Sequence, residues 1–278
     1  MLKLDNKRAE AGLADFDATS LGKDGFLLAR DHIEREGAIV MRNLVTPDIA
    51  AALKTALIRA LAEDAEAHGT EYRFYGMVHA LMSRGQPFLD LLSTPALLRI
   101  CRTVLGHGCI VHAYNSSSMP PSASNYSRSI HVDCPRLIPG YITNLGVTLA
   151  LDPFTSQNGG MEIVPDSFQV REQLSEEAFA AKSVRPALNI GDAIIFNARC
   201  WHRGGINHTE NWRHAVTLNL CRSYMRQQFD YPRMLAPQHV SGLSEDVRQF
   251  LGYHVRTPVS MAEFLMPPET RPHRPGQE

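Results

Sequence analysis

The sequence predicts a mainly β protein with flanking helices, and three observations carry that expectation. Apart from one short stretch near the C-terminal end, helical periodicity is confined to the part of the chain before about residue 105. From about residue 110 the chain breaks into short apolar runs separated by Gly, Pro, Asn and Ser, as in a sandwich or barrel. Several of these runs alternate large apolar residues with small or polar ones, the period of a strand with two unlike faces.

Residues 1–24 are mixed and polar and read as a loosely packed lead-in. "GAIVMRNLV" (37–45) reads as a strand and runs directly into a helix over "TPDIAAALKTALIRALAEDAEAHG". Thr46 is suited to the N-cap, Pro47 to the first helical position and Gly69 to the end. Ile49, Leu53, Leu57 and Leu61 recur every four residues and predict its buried stripe. A second helical region is expected over about 75–105, divided by Pro87 and Pro95. The β core is expected over about 110–224. In "NLGVTLALD" (144–152), large Leu145, Val147, Leu149 and Leu151 alternate with small Asn144, Gly146, Thr148 and Ala150. "MEIVP" (161–165), "GDAIIFN" (191–197) and "RHAVTLNLCRSY" (213–224) continue in that style. A last helix is expected over 244–253 and a frayed tail over 266–278. With no internal repeat and no linker, the chain reads as one domain.

Composition narrows the function classes. A hydrophobic content of 44% suffices for a sizeable core, and a formal charge of −1 gives no global attraction to nucleic acid or a membrane. Five cysteines without a CxxC pair argue against a disulfide framework or a thiolate zinc site. "MLKLDNKRAEAG" lacks an apolar signal core, and no run of about 18 apolar residues occurs, so a reducing cytoplasm is the expected location.

The chemistry concentrates in two stretches. In "SIHVDCPR" (129–136), His131 and Asp133 are two apart, which on a strand places imidazole and carboxylate on one face. In "GDAIIFNARCWHRGGINHTENWRHAVTLNL", a strand and turn lead to His202 and Gly204–Gly205, and then to Arg213 on a further strand. There Arg213, Ala215, Thr217 and Asn219 share a small, polar face, while Val216, Leu218 and Leu220 share a greasy one. Such a face, turned into a closed β structure, suggests a pocket with a guanidinium that clamps a carboxylate. Two histidines and one carboxylate with open coordination positions are the ligand set of non-haem iron(II) oxygenases.

These stretches resemble the phytanoyl-CoA dioxygenase family of iron(II)/2-oxoglutarate oxygenases, and the similarity extends over most of the chain. "GAIVMRNLVTPDIAAAL" is similar to the family's N-terminal strand and helix, "HVD" to its H-x-D, and "QNGGMEIVPDSF" to its N-G-x-L-x-x-x-P-G-S-H loop. "GDAIIFNARCWHRGGINHTENWR" is similar to its G-D-x-x-x-F … H … R segment, including the eleven-residue step from His202 to Arg213. The resemblance implies a double-stranded β-helix (jelly-roll) core, iron(II) on His131, Asp133 and His202, 2-oxoglutarate on Arg213, and O2 as co-substrate. It implies oxidation of a C–H bond of a small metabolite by hydroxylation, desaturation or cyclisation, in a natural-product type of biosynthesis. Two departures bear on substrate shape: Asp166-Ser167-Phe168 stands where relatives have Gly-Ser-His, and Gly204 where many have Ser or Thr. A zinc hydrolase or isomerase on the same ligands, and a non-catalytic small-molecule binder, are the rival readings.

Other residues invite weaker expectations. Asn144 and Thr148, on the small face of their strand, are candidates to touch the co-substrate. Arg128 and Arg136, with Arg199 and Arg203, lie near the candidate ligands in sequence and suggest a basic rim for an anionic substrate. His107, His112, His208 and His214 read as surface or turn residues, and Cys134, Cys200, Trp201 and Trp212 as packing. The oligomeric state is silent in the sequence.

Overall fold

The computed structural model describes residues 12–277. A six-stranded sheet organises the molecule. Its strands are β1 (Ala14–Asp17), β2 (Ala38–Arg42), β3 (Ile110–Ser116), β4 (Asn144–Ala150), β6 (Ala193–Asn197) and β8 (Ala215–Cys221), in the order β1-β2-β6-β4-β8-β3. All neighbours are antiparallel except β1 and β2. A second sheet pairs β5 (Met161–Ile163) with β7 (His202–Gly204) and is extended by single bridges from His131 to His202 and from Ile163 to Val184.

Alternation sorts each strand of the large sheet between two environments. Ile39, Met41, Leu145, Val147, Leu149, Ala193, Ile195, Val216, Leu218 and Leu220 join the main apolar core with the helices. The other face carries Ala38, Val40, Ala150, Ile194, Phe196 and Ala215, which pack with Phe154, Met161 and Ile163 between the sheets. The helices against the outer face are α1 (Lys23–Glu36), α2 (Pro47–His68), α3 (Gln86–Leu91) and α4 (Pro95–Leu105); α5 (Glu176–Lys182), α6 (Tyr231–Met234), α7 (Pro237–Val240), α8 (Glu245–Phe250) and α9 (Met261–Phe264) follow. Thr46 caps α2 by accepting from the Ile49 N–H, with Pro47 at its first position, as the sequence predicts.

Several boundaries differ from expectation. The stripe of α2 is Ala50, Leu53, Leu57 and Ala60, whereas Ile49 is exposed and Leu61 half-buried. A strict four-residue repeat advances about 40° per step on a 3.6-residue helix, so its two ends leave the buried face. Residues 75–80 are not helical: a 3-10 turn spans Leu81–Ser83 and regular helix begins at Gln86. The expected lead-in contains β1, which pairs with β2, while its residues 1–11 lie outside the described residues. The expected frayed tail is docked up to residue 277. The Arg274 N–H donates to the His254 carbonyl at 2.9 Å, and the Gln277 carbonyl accepts from Ser223 Oγ at 2.7 Å. Among the described residues no helix is long and apolar enough to cross a membrane.

Candidate metal centre and anion clamp

His131, Asp133 and His202 are brought together. One ligand atom from each lies within 4.8 Å of the others, with Asp133 Oδ1 at 3.6 Å from His131 Nε2 and 3.8 Å from His202 Nε2. An octahedral edge with bonds of about 2.1 Å measures about 3 Å, so modest side-chain rotations would close the set on one ion. The H-x-D stretch is not a continuous strand, as expected from its pattern, but a single bridge. His131 and His202 exchange both backbone hydrogen bonds at 3.0 Å, and the Asp133 and Cys134 N–H groups both donate to the Ala198 carbonyl. The backbone after β6 therefore fixes Asp133 and His202 together.

Both imidazoles are oriented in the same way. Nδ1 of His131 lies 2.7 Å from the Ser129 carbonyl, and Nδ1 of His202 lies 3.0 Å from the Cys200 carbonyl. A carbonyl only accepts, so each Nδ1 carries the hydrogen and each Nε2 keeps its lone pair for a cation. Burial, with His131 alongside, pushes the His202 pKa down to about 4, which keeps this ring neutral and ligand-competent at neutral pH. Phe196 stands edge-on to His202 at 4.9 Å and closes its inner side.

Arg213 projects into the same cavity of about 260 Å³, which His131, Asp133, His202, Thr148, Thr217 and Phe154 also line. Its Nη1 donates to the Ser117 carbonyl at 2.8 Å and its Nη2 to the Gly159 carbonyl at 2.6 Å; Nε has no partner among the described residues. The guanidinium lies 4.6 Å from the centre of the Phe154 ring, and among the described residues no carboxylate is within 4 Å of it. Asp152 is the acidic group that acts on it from a distance, but that carboxylate is held by Lys54 at 2.5 Å and by the His214 N–H at 2.8 Å. Burial pulls the Arg213 pKa down to about 9, still charged at neutral pH. A buried cation without a counter-charge is costly, and an anionic ligand would relieve the cost.

The remaining candidates divide. Thr148 lines the cavity; Asn144 is buried beside it and donates Nδ2 to Asn219 Oδ1 at 2.9 Å. The basic rim is not formed. Arg199 is buried and donates to the carbonyls of Phe168, Pro135 and Val170. Arg203 reaches the cavity wall but is paired with Glu162 at 2.8 Å and Glu176 at 2.6 Å. Arg128 lines a separate hollow of about 60 Å³ with Arg185 and Glu162, and Arg136 is exposed and outside the cavity. His214 is buried rather than at the surface, stacked on Trp212 with Nδ1 2.9 Å from Ser118 Oγ. His112, read as a surface residue, lines the cavity with Asn115 and Gln228. Asn219 was already legible on the polar face of β8, whereas nothing in the periodicity of β3 points to His112.

The profile of the family described as phytanoyl-CoA dioxygenase (PhyH) matches residues 33–215, which contain both histidines, the aspartate and the arginine. The chain belongs to this family. The uncharacterized protein Rv1501 of Mycobacterium tuberculosis is 30% identical to it over 207 residues, 73% of this chain and 76% of that protein. Dioxygenase SphC of Aspergillus fumigatus is 21% identical over 82% of this chain and 67% of its own length. Among solved structures, EvdMO1 matches with a TM-score of 0.58 at 19% identity, over 70% of this chain and about half (49%) of its own. AviO1 from Streptomyces viridochromogenes matches with a TM-score of 0.57 at 21% identity, over 70% of this chain and 93% of its own.

The two sequence departures of this PhyH-family chain have local explanations. Asp166 has φ +60°, a left-handed conformation that glycine adopts freely and that aspartate is among the few other residues to accept. Ser167, the position unchanged from the family loop, accepts from the Trp201 N–H and donates to the Val164 carbonyl, tying the loop to the segment that carries His202. At Gly204 an added Cβ would stand 2.2 Å from Met119 Cε and 2.4 Å from Ser127 Oγ, so a side chain there would require both of these side-chain ends of the 116–129 loop to shift.

Proposed function

We propose that this chain is a single-domain iron(II)/2-oxoglutarate-dependent dioxygenase, and that its two facing sheets are the two halves of a jelly roll. His131, Asp133 and His202 would hold iron(II), and Arg213 would hold the distal carboxylate of 2-oxoglutarate. The observation that carries this reading is the pairing, in one cavity, of a three-ligand cluster with a buried guanidinium that has no counter-anion in contact among the described residues. Membership of a family named for a dioxygenase, and relatives bearing that name, support it. Once bound, the metal, O2 and 2-oxoglutarate would supply the oxidant that cleaves a substrate C–H bond while 2-oxoglutarate leaves as succinate and CO2.

The chain's own residues have positioning tasks. Three protein ligands on one side leave the opposite coordination positions open to the keto acid and O2. The Arg213 fork is fixed by two carbonyls before any ligand arrives, so a carboxylate meets an oriented donor rather than a mobile one. Phe154 and Phe196 present hydrocarbon to the cavity and exclude water from the reacting centre. The rival zinc hydrolase leaves Arg213 without a task.

The test is succinate production by the purified protein with Fe(II), 2-oxoglutarate and O2. Background turnover should require all three and be lost in Asp133→Ala. Turnover that is independent of 2-oxoglutarate, or retained with zinc alone, would refute the assignment.

A further inference from the structure

The part of the cavity that Arg213 does not serve is walled by uncharged hydrogen-bonding groups. Sheet register fixes where this wall lies. Ala113, Asn219, Gly146 and Phe196 form one row across β3, β8, β4 and β6, and Phe196 touches His202. The next row holds Asn115, Thr217, Thr148 and Ile194, and Arg213 lies beyond Ala215 at the far end of β8. The Asn219 row is therefore at the level of the metal ligands.

A β-bulge adds a ring to that row. Val111 pairs with Leu220 and Ala113 with Asn219, so His112 is an extra residue opposite a single step of β8. Val111 and Tyr114 both pack in the main core, while His112 and Ala113 both line the cavity, a side-chain order that simple alternation forbids and a bulge allows. The ring is held: Nδ1 lies 2.7 Å from the Arg226 carbonyl, which leaves Nε2 as the ring's acceptor. The backbone of Gln228 is bonded to the His112 carbonyl, which brings the Gln228 side chain to the same mouth. Asn219 spends its carbonyl oxygen on Asn144 and keeps its amide N–H2 for a ligand. The buried Asn144 Oδ1 beside it has no partner among the described residues.

An anionic group would lose its hydration here without gaining a side-chain cation, because Arg203 is already neutralised by Glu162 and Glu176, and the carboxylate in this part of the cavity, Asp133, is taken up as a metal ligand. Side-chain amides and an imidazole acceptor, mixing donors and acceptors at short range, match hydroxyl groups, which donate and accept from one atom. We propose that this wall binds an uncharged, hydroxyl-bearing substrate, a sugar or other polyol, with His112 Nε2 accepting from a substrate hydroxyl and Asn219 donating to one. This replaces the anionic substrate expected from nearby arginines, and it rests on the oxygenase reading for the location of the metal.

The test is binding under anaerobic conditions to the Mn(II)- and 2-oxoglutarate-loaded protein, followed by saturation-transfer NMR and calorimetry. The probes are methyl glycosides and inositols, set against the corresponding uronic acids. At least one neutral probe should bind, and its uronic acid counterpart should bind about tenfold more weakly or worse. His112→Ala and Asn219→Leu should each weaken the neutral probe about tenfold, and His112→Gln, which keeps an acceptor, should recover most of that loss. Both variants should bind 2-oxoglutarate within about twofold of wild type, which shows that they are folded. No binding by any neutral probe, tighter binding of the acids, or affinity unmoved by His112→Ala would overturn the proposal. A wild-type protein that takes up neutral probes but not 2-oxoglutarate would count against the oxygenase reading and leave this wall in place.

Discussion

Replacing Arg213 by Met separates the guanidinium's cost to folding from its use in binding. Burial lowers the Arg213 pKa from the usual guanidinium range to about 9, and at about 1.4 kcal/mol per pH unit this sets about 5 kcal/mol against the charged form in the unliganded protein. Against this stand two charge-assisted hydrogen bonds, to the Ser117 and Gly159 carbonyls, worth about 1.5–3 kcal/mol each. The opposing terms nearly cancel, and Met restores an apolar stem of similar volume over Phe154. Unliganded Arg213→Met should therefore melt within about 5 °C of wild type, using about 2–3 °C per kcal/mol for a chain of this size. The ligand should separate them. With Mn(II) present and 2-oxoglutarate at about 100 times its Kd, wild type should gain about 2.7 kcal/mol and melt roughly 5–8 °C higher, whereas Arg213→Met should gain almost nothing. Differential scanning calorimetry with and without 2-oxoglutarate reads both quantities. If Arg213→Met instead loses several kcal/mol while 2-oxoglutarate leaves wild-type melting unchanged, the arginine is a structural tie and the reasoning is wrong.

Three further outcomes follow from the geometry. Asp133→Ala removes a half-exposed ligand, so calorimetric Mn(II) affinity should fall by more than about a hundredfold with little change in unliganded stability. At Gly146 an added Cβ would meet Phe196 Cζ at 2.3 Å, so Gly146→Ala should cost about 1–3 kcal/mol in chemical denaturation and weaken the metal through the ring that abuts His202; Phe196→Leu in the same chain should recover part of both. The third concerns pH. His214, whose pKa burial lowers to about 4, is neutral when folded but takes up a proton near pH 6.5 when unfolded, so stability is lost as pH falls from 6.5 towards 4. The loss reaches about 2 kcal/mol at pH 5 from this residue, and His202 adds a comparable one; His214→Phe, which keeps the stack on Trp212, should make urea denaturation between pH 7.5 and pH 5 correspondingly flatter.

What the sequence made legible depended on whether a signal was local. The two faces of β8 could be read from period two alone, because Val216, Leu218 and Leu220 face the helices while Thr217 and Asn219 face the cavity. The ligand cluster was legible as motif and spacing, and its members do converge even though His131 sits on a single bridge and Asp133 in the bend after it, not on a strand. The arginines misled, because nearness to a ligand along the chain does not say which way a long side chain turns. Arg199 folds back onto three carbonyls and Arg203 onto two carboxylates that are distant in sequence. His112 was hidden by the bulge, which shifts its side chain against the alternation of its own strand and depends on the partner strand's register.

These same errors point in one direction. An arginine committed to the protein's own oxygens cannot draw in a substrate, and once Arg199 and Arg203 are committed, the cavity keeps a single uncompensated charge, at Arg213, among the described residues other than the metal ligands. A site that concentrates its positive charge at one end and places amides, a hydroxyl and an imidazole at the other discriminates between two ligands by charge. The anion is held at the guanidinium, and the neutral molecule lies against the His112–Asn219 wall. Exchanging that polarity, with Asn219→Lys on the neutral wall, should therefore do more than weaken substrate. The new ammonium, on the row of the metal ligands, offers the 2-oxoglutarate carboxylate a second anchor, so 2-oxoglutarate should become a partial inhibitor of neutral-probe binding, measured as competition that is absent in wild type. Additive, non-competing binding of both ligands in Asn219→Lys would mean that the two ends of the cavity are not sorted by charge.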